Sequence, residues 1–198
     1  IEFDIADAVN EEAVALFAPD LILAPFLKRA IPEAIWSRHV CLVVHPGIVG
    51  DRGPSALDWA IQQAAPVWGV TVLQAEAEMD AGPVWASASF PLRSALKSSI
   101  YRNEVTEAAV PAVIAAVDRY FSGNFTPQRV AGKAHALMKQ ADRAIDWTAQ
   151  TTAEILARLN AADGFPGVAD LLFGQPCHLF DAWPEANLRG EAGTLLGR

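Results

Sequence analysis

His45 and Asp80 are the residues whose type and position best suit acid–base chemistry. His45 ends an apolar run over residues 40–44 and precedes Pro46, where the chain must turn. An imidazole titrates near neutral pH, so it can both accept and donate a proton. Asp80 stands in the run Met79-Asp80-Ala81-Gly82-Pro83. Each residue also has an ordinary structural explanation. His45 could simply close a strand, and position alone leaves this open, whereas Asp80 taken alone is better explained as part of an ordinary Asp-x-Gly turn.

Motifs for several other chemistries are absent from the sequence. No G-x-G-x-x-G run follows an apolar strand and no G-x-x-x-x-G-K-[ST] run is present, so neither a dinucleotide nor a triphosphate site has motif support. The histidines and cysteines show none of the close spacings of metal ligands. We therefore predict no metal site.

The charge balance argues against a polyanionic partner. Lys and Arg total 15 and Asp and Glu total 23, which gives a formal net charge of −8 at pH 7. Neither nucleic acid nor an anionic membrane is therefore expected as the main partner. The longest uncharged stretch, residues 59–75, contains Gln, Pro and Gly and is shorter than the roughly 20 apolar residues of a spanning helix. Cys41 and Cys177 are far apart, which favours a reduced, cytoplasmic protein with two structural thiols.

Alternating patterns predict an α/β fold. Apolar runs with strand character occur at residues 1–5, 20–26, 40–45, 70–75 and 84–90. Helical patterns lie between them at residues 11–18, 31–36 and 55–65. This alternation indicates a Rossmann-like, doubly wound, mostly parallel sheet, in which the last two strands form a hairpin closed by the turn at Asp80. Such a sheet would lack its first βα unit, so we expect the domain to begin before Ile1.

The second half of the sequence predicts a long helix and a smaller subdomain. Ser98 or Ser99 is expected to cap the helix, which should end near residue 121 and be kinked by Pro111. Residues 125–134 are typical of a linker, and Thr151 and Glu154 have the spacing of a capping box. A short strand is expected at residues 177–180. We assign residues 1–125 to an α/β domain and residues 126–198 to a linker and the start of an incomplete C-terminal subdomain.

Three motifs in register resemble the folate-dependent formyltransferase family. They are a His-Pro turn with an Arg-Gly loop in residues 43–54, a Gly-Val-Thr strand in residues 68–72, and an Asp-x-Gly turn in residues 79–84. Together they are far more specific than any one of them. Within the family, the sequence of residues 45–55 and 97–106 is most similar to that of HoxX-type hydrogenase maturation proteins. These proteins resemble a formyltransferase fused to an enoyl-CoA-hydratase-like domain. That hydratase-like half is not in this sequence.

The resemblance implies a formyltransferase fold, a donor and a set of site residues. The donor is N10-formyltetrahydrofolate, and the formyl group would go on toward the carbon monoxide ligand of nickel-iron hydrogenase. His45 and Asp80 become the catalytic pair, in which a carboxylate beside the imidazole favours its charged form and helps hold a water or the intermediate. The residues implied in cofactor binding are Phe26, Leu27, Lys28, Glu76, Met79 and Asp80.

Val43 departs from the family pattern. Formyltransferases of this kind usually carry Asn two residues before the histidine, where the amide donates to the developing oxyanion. Such a donor contributes about 3–4 kcal/mol, so either another group replaces it or transfer to simple amines is slow. Slow transfer to amines would fit a specialised acceptor. Arg52, Lys28 and Arg29 are either solvated surface charges or contacts to the folate glutamate tail or to a phosphate-bearing acceptor such as coenzyme A.

Two functions of different class remain open on the sequence. One is an enzyme domain that moves or releases the formyl group through His45 and Asp80. The other is a catalytically weakened folate-binding module that positions a partner domain. A sugar-nucleotide formyltransferase is a weaker third hypothesis, because position 43 lacks the Asn. Release of tetrahydrofolate with candidate acceptors separates the first two, since only the enzyme accelerates it.

Overall fold

The computed structural model describes residues 8–25, 27, 29–191 and 193–197 of the 198-residue chain. The strand predicted at residues 1–5, and the predicted site residues Phe26 and Lys28, lie outside the described residues. In chain order, the helices and strands are α1 (Ala8–Phe17), β1 (Leu21–Pro25), α2 (Glu33–Trp36), β2 (Val40–His45), β3 (Asp51–Arg52), α3 (Ala56–Gln62), β4 (Val67–Gln74), β5 (Val84–Pro91), α4 (Lys97–Ile100), α5 (Thr106–Ser122), β6 (Lys133–Ala134), α6 (Thr152–Ala161), β7 (Val168–Leu172) and β8 (Gln175–Leu179).

Four strands form the central sheet, in the order β1-β2-β4-β5. β1 and β2 run parallel, which requires a crossover such as the one through α2. β4 runs antiparallel to both β2 and β5, and the β4–β5 pair is the hairpin that the sequence predicts. The predicted α/β class is confirmed. Within the described strands of this sheet, the parallel pairing is the one between β1 and β2.

Both faces of β2 are covered by helices. Because successive side chains of a strand point to opposite faces, Leu42 and Val44 pack with α3, including Leu57, while Cys41 packs on the other side with Ile35 of α2. Full burial of such an aliphatic side chain contributes about 1.5–3 kcal/mol, so these contacts hold the end of β2 in place. Burial also raises the pKa of the Cys41 thiol to about 11, which keeps it protonated and unreactive.

One helical segment spans residues 97–122 but changes its winding near its start. α4 passes into a π-helical turn, Tyr101–Val105, and then into α5, which continues through Pro111. Ile100 and Val105 are both fully buried although they are five residues apart. That spacing fits a π turn, which accommodates one extra residue. The long helix predicted up to about residue 121 is confirmed, but its N-cap is Leu96, so the predicted caps Ser98 and Ser99 lie inside the helix. The π turn is an addition, and the kink at Pro111 stays a prediction.

The C-terminal part contains a small helix and a hairpin. α6 begins with the predicted capping box, in which the Glu154 N–H donates to Thr151 Oγ1 at 3.3 Å and the Thr151 N–H donates to Glu154 Oε2 at 2.7 Å. β7 and β8 pair antiparallel beside it, so the strand expected at residues 177–180 is the second half of a hairpin. No helix of the described ranges is long and apolar enough to cross a membrane.

Candidate active site

His45 lies at the carboxyl end of β2 between two carboxylates. Its Nε2 is 2.8 Å from Asp51 Oδ2 and its Nδ1 is 3.3 Å from Asp80 Oδ2. The side chains of His45 and Asp51 are each 4% exposed and that of Asp80 is 14% exposed, so water screens these contacts little. The structure therefore brings together the two residues that the sequence singles out, and it adds a third.

The turn after β2 is held by side chains of the neighbouring strand. Trp68 Nε1 donates to the carbonyl of Pro46 at 2.9 Å, and Thr71 Oγ1 donates to the carbonyl of Gly47 at 2.8 Å. Thr71 is also the cross-strand partner of His45. β4 thus fixes both the position of the histidine and the direction in which the chain leaves it.

Asp80 makes contacts beyond its own turn. Its Oδ2 accepts a hydrogen bond from the Gly53 N–H at 3.0 Å, 27 residues away in sequence, and the same oxygen faces His45. The local backbone turn is closed separately by the Ala81 N–H and the Glu78 carbonyl. The side chain is therefore engaged across the site, which favours a role at the site over one confined to the turn.

Residues 126–139, which we call the strap, lie against the chain segment that follows β2. β6 within the strap pairs in parallel with β3, through bonds from the Lys133 and His135 N–H groups to Gly50 and Arg52. The strap contains most of the segment that the sequence predicts as a linker. It brings His135 Nε2 to 3.3 Å from Asp51 Oδ1.

A cavity of about 570 Å³ opens beside His45 and Asp80. Its lining includes four of the predicted cofactor-binding residues, together with Val43 and Tyr101. Those four are Leu27, Glu76, Met79 and Asp80. Burial raises the pKa of the Tyr101 hydroxyl, so this group enters the site as a neutral phenol.

Arg52 is held by protein groups. Its guanidinium donates to Glu78 Oε1 at 3.1 Å and to the carbonyl of Val130 in the strap at 2.9 Å. Arg29 lines the cavity. The predicted contact of Arg52 with an acceptor or a phosphate stays a prediction, because these two partners account for its present orientation.

Asp51 and His135 are the site residues that sequence reasoning missed. Asp51 lies in the motif of residues 43–54. A charged residue in a Gly-rich loop is typical of a solvated surface, so its type and position do not mark it as a site residue. His135 lies in the strap, which showed no motif. Its approach depends on the pairing of β3 with β6, two short strands more than 80 residues apart, for which local patterns give no indication.

The comparison with known proteins decides the family. Residues 4–117 match the Formyl transferase family. The chain belongs to this family. The resemblance carried by the three sequence motifs is thereby confirmed, and the central sheet is that of a formyl transferase domain.

Two longer proteins are similar to this formyl transferase domain, and one of them is a hydrogenase maturation factor. Hydrogenase maturation factor HoxX from Bradyrhizobium diazoefficiens is 51% identical over an alignment of 203 positions, which covers 100% of this chain and 36% of HoxX. The crystal structure of HypX from Aquifex aeolicus in complex with tetrahydrofolic acid is 45% identical with a TM-score of 0.86, over 94% of this chain and 33% of HypX. The chain thus spans about a third of the length of these two relatives.

The domain is also similar to shorter members of the family. Methionyl-tRNA formyltransferase from Dechloromonas aromatica is 26% identical, over 97% of this chain and 63% of that protein. Identity is thus about twice as high with HoxX as with this enzyme. The similarity to HoxX-type proteins that residues 45–55 and 97–106 predict is confirmed.

Proposed function

We propose that this formyl transferase domain binds N10-formyltetrahydrofolate and transfers or releases its formyl group, with His45 and Asp80 as the catalytic pair. The observation that carries the proposal is the 3.3 Å approach of His45 Nδ1 to Asp80 Oδ2 at the wall of the cavity. Its setting supports it, because the chain belongs to a family of formyl transferases and the solved HypX structure holds tetrahydrofolic acid.

The chemistry needs one group that takes up a proton and returns it. The nucleophile of the acceptor attacks the formyl carbon, and a tetrahedral intermediate forms. The bond from this carbon to N10 then breaks while the new bond to the acceptor stays. His45 accepts the proton that the nucleophile loses and delivers it to N10, so no proton is gained or lost overall. Asp80 lies beside Nδ1, and it stabilises the positive charge that forms on the imidazole when this nitrogen takes up the proton.

The lining of the cavity suits a folate. Leu27 and Met79 offer apolar surface for the flat rings of the pterin and the aminobenzoyl group. Glu76 offers a carboxylate that accepts hydrogen bonds from the amino group and ring N–H of a pterin. Arg29 offers a cation for the glutamate carboxylate of the donor or for a phosphate of the acceptor.

We further infer that the domain works in hydrogenase maturation, because HoxX, which is 51% identical to it, is a hydrogenase maturation factor. In this proposal the formyl group goes on toward the carbon monoxide ligand of nickel-iron hydrogenase, with coenzyme A as a candidate acceptor. An enoyl-CoA-hydratase-like domain would be the partner, and the cytoplasm the compartment. The share of HoxX that the chain covers leaves room for such a partner domain.

The test separates binding from catalysis. A folate titration followed by intrinsic fluorescence measures binding, and absorbance measures tetrahydrofolate release from the formyl donor with coenzyme A, simple amines or no acceptor. Binding with accelerated release supports the enzyme. Binding without acceleration under every condition supports the folate-binding module instead, and absence of folate binding contradicts both.

A further inference from the structure

The shortest contact of His45 is not with the carboxylate that lines the cavity. Asp51 Oδ2 lies 2.8 Å from Nε2, and both side chains are 4% exposed. Asp80 lines the cavity, whereas Asp51 does not. Asp51 therefore lies behind the ring, away from the space in which a substrate would react.

The local chain is shaped for this contact. A Cβ atom added to Gly47 would stand 2.3 Å from His45 Nε2 and 2.6 Å from Asp51 Oδ2, far inside van der Waals distance. Any larger residue at position 47 would separate the His45 ring from the Asp51 carboxylate. The glycine is thus required for the His45–Asp51 pair, independently of the turn itself.

The other oxygen of Asp51 is held from the strap. His135 Nε2 is 3.3 Å from Asp51 Oδ1, and the His135 ring stacks on Trp59 at a centroid distance of 5.9 Å and an interplanar angle of 27°. Trp59 Nε1 in turn donates to the strap carbonyl of Ala136 at 3.0 Å. Both oxygens of the buried carboxylate therefore face a histidine ring, one from β2 and one from the strap.

We propose that Asp51 is a positioning residue for the transfer reaction. An ionised carboxylate can only accept hydrogen bonds, so Nε2 of His45 carries a proton and donates it to Asp51. This leaves Nδ1 as the ring nitrogen that exchanges the mobile proton, beside Asp80 and the cavity. His135 holds Asp51 in this orientation. The assignment of a reaction to His45 rests on the proposed function, while the position of the proton does not.

Nuclear magnetic resonance can locate this proton in the full chain without folate or acceptor. The chain has four histidines, and the ring signals of His45 are assigned by their loss in His45→Gln. At a pH at which the imidazoles are neutral, long-range ¹H–¹⁵N spectra of the wild type should show Nε2 protonated and Nδ1 bare. In Asp51→Asn the signals should move toward the other tautomer, because an amide can donate to Nε2.

Matched variants separate the contact from general effects. Asp118→Asn makes the same chemical change at an exposed position of α5 and should leave the His45 signals in place. Gly47→Ala should disturb them by pushing the ring from Asp51, and it serves as the second variant if Asp51→Asn fails to fold. A wild-type spectrum with Nδ1 protonated and Nε2 bare overturns the proposal, and so does a wild-type tautomer that persists unchanged in Asp51→Asn or in its replacement.

Kinetics supply a readout that a structural role would not produce. Asp51→Asn should lower kcat for tetrahydrofolate release by about 10²-fold or more with little change in folate KM, as expected when the carboxylate that orients a catalytic histidine is lost. A rise in KM and a loss of folate binding without a fall in kcat would overturn the positioning role. The folate titration of the wild type tests the proposed function separately.

The contact between His135 and Asp51 has its own test. His135→Asn should shift the His45 ring signals in the same direction as Asp51→Asn, by a smaller amount, because Asp51 keeps its contact with Nε2 but loses one support. His178→Asn is the control, since His178 is exposed in β8. Unchanged His45 signals in His135→Asn would remove His135 from the proposal.

Discussion

Asp80 has two candidate roles, one in shaping the turn and one in catalysis. Its backbone has a φ of +54°, a conformation that Asn adopts more readily than most residues. Asp80→Asn therefore removes the charge and keeps the turn. We expect this variant and His45→Ala both to lose tetrahydrofolate release by about 10²-fold or more while folate binding persists.

Rates of release and binding constants of the two variants check this expectation, with Asp118→Asn as the control for an acid-to-amide change. Release that is unchanged in Asp80→Asn but lost in His45→Ala would show that Asp80 only shapes the turn.

Val43 decides which acceptors the site can serve. Val43 and His45 both line the cavity, and because they are two positions apart in β2 they lie on the same face of the strand. The Val43 side chain has no hydrogen-bond donor. Val43→Asn should raise amine formylation or formyl hydrolysis, by up to about 10²-fold if the amide reaches the oxyanion.

Parallel assays of the wild type, Val43→Asn and Val43→Ala with several amines check this, because the alanine variant changes the space without adding a donor. Efficient amine formylation by the wild type would mean that another group already binds the oxyanion, and a specialised acceptor would then lose its main support.

At the scale of the element, the capping box of α6 is local and can be tested alone. Thr151→Ala removes the side chain that accepts from the Glu154 N–H and should destabilise the fold by about 1 kcal/mol. For a chain of this size, that corresponds to a melting temperature lower by about 2–4 °C. Thr152→Ala, at the next, exposed position, should have no such effect, since alanine is the better helix former. Equal melting temperatures of the two variants would contradict the role of the cap.

At the scale of the whole molecule, Asp58 of α3 links the α/β sheet domain to the C-terminal part. Its Oδ1 accepts from Lys97 Nζ at 3.0 Å and from Arg143 at 2.8 Å, and the Asp58 side chain is 10% exposed. Asp58→Asn leaves two partly buried cations without their carboxylate. We expect it to destabilise the fold by about 1–3 kcal/mol, less than for a fully buried pair because Lys97 remains 27% exposed.

Thermal unfolding of Asp58→Asn beside Asp118→Asn measures this effect. A melting temperature equal to that of the control would assign the Asp58 pairs to the class of surface ion pairs that contribute little.

Local patterns were sufficient for most of the elements. The strand at Val40–His45, the β4–β5 hairpin and the capping box at Thr151 each depend on residues a few positions apart, and each was predicted. The π turn at Tyr101–Val105 was not, because the five-residue step between buried side chains is compatible with a regular helix until the packing of both ends is known.

The sequence by itself determined the family, the α/β class, and His45 and Asp80 as candidates for chemistry, because these depend on motifs whose residues are close together. Only the tertiary structure decided that Asp51 takes the second ring nitrogen of His45, that His135 approaches Asp51, and that Arg52 turns to Glu78 and the strap. The strap meets the turn after β2 from about 80 residues away in sequence. Such pairing follows from the packing of the whole chain, and no short pattern encodes it.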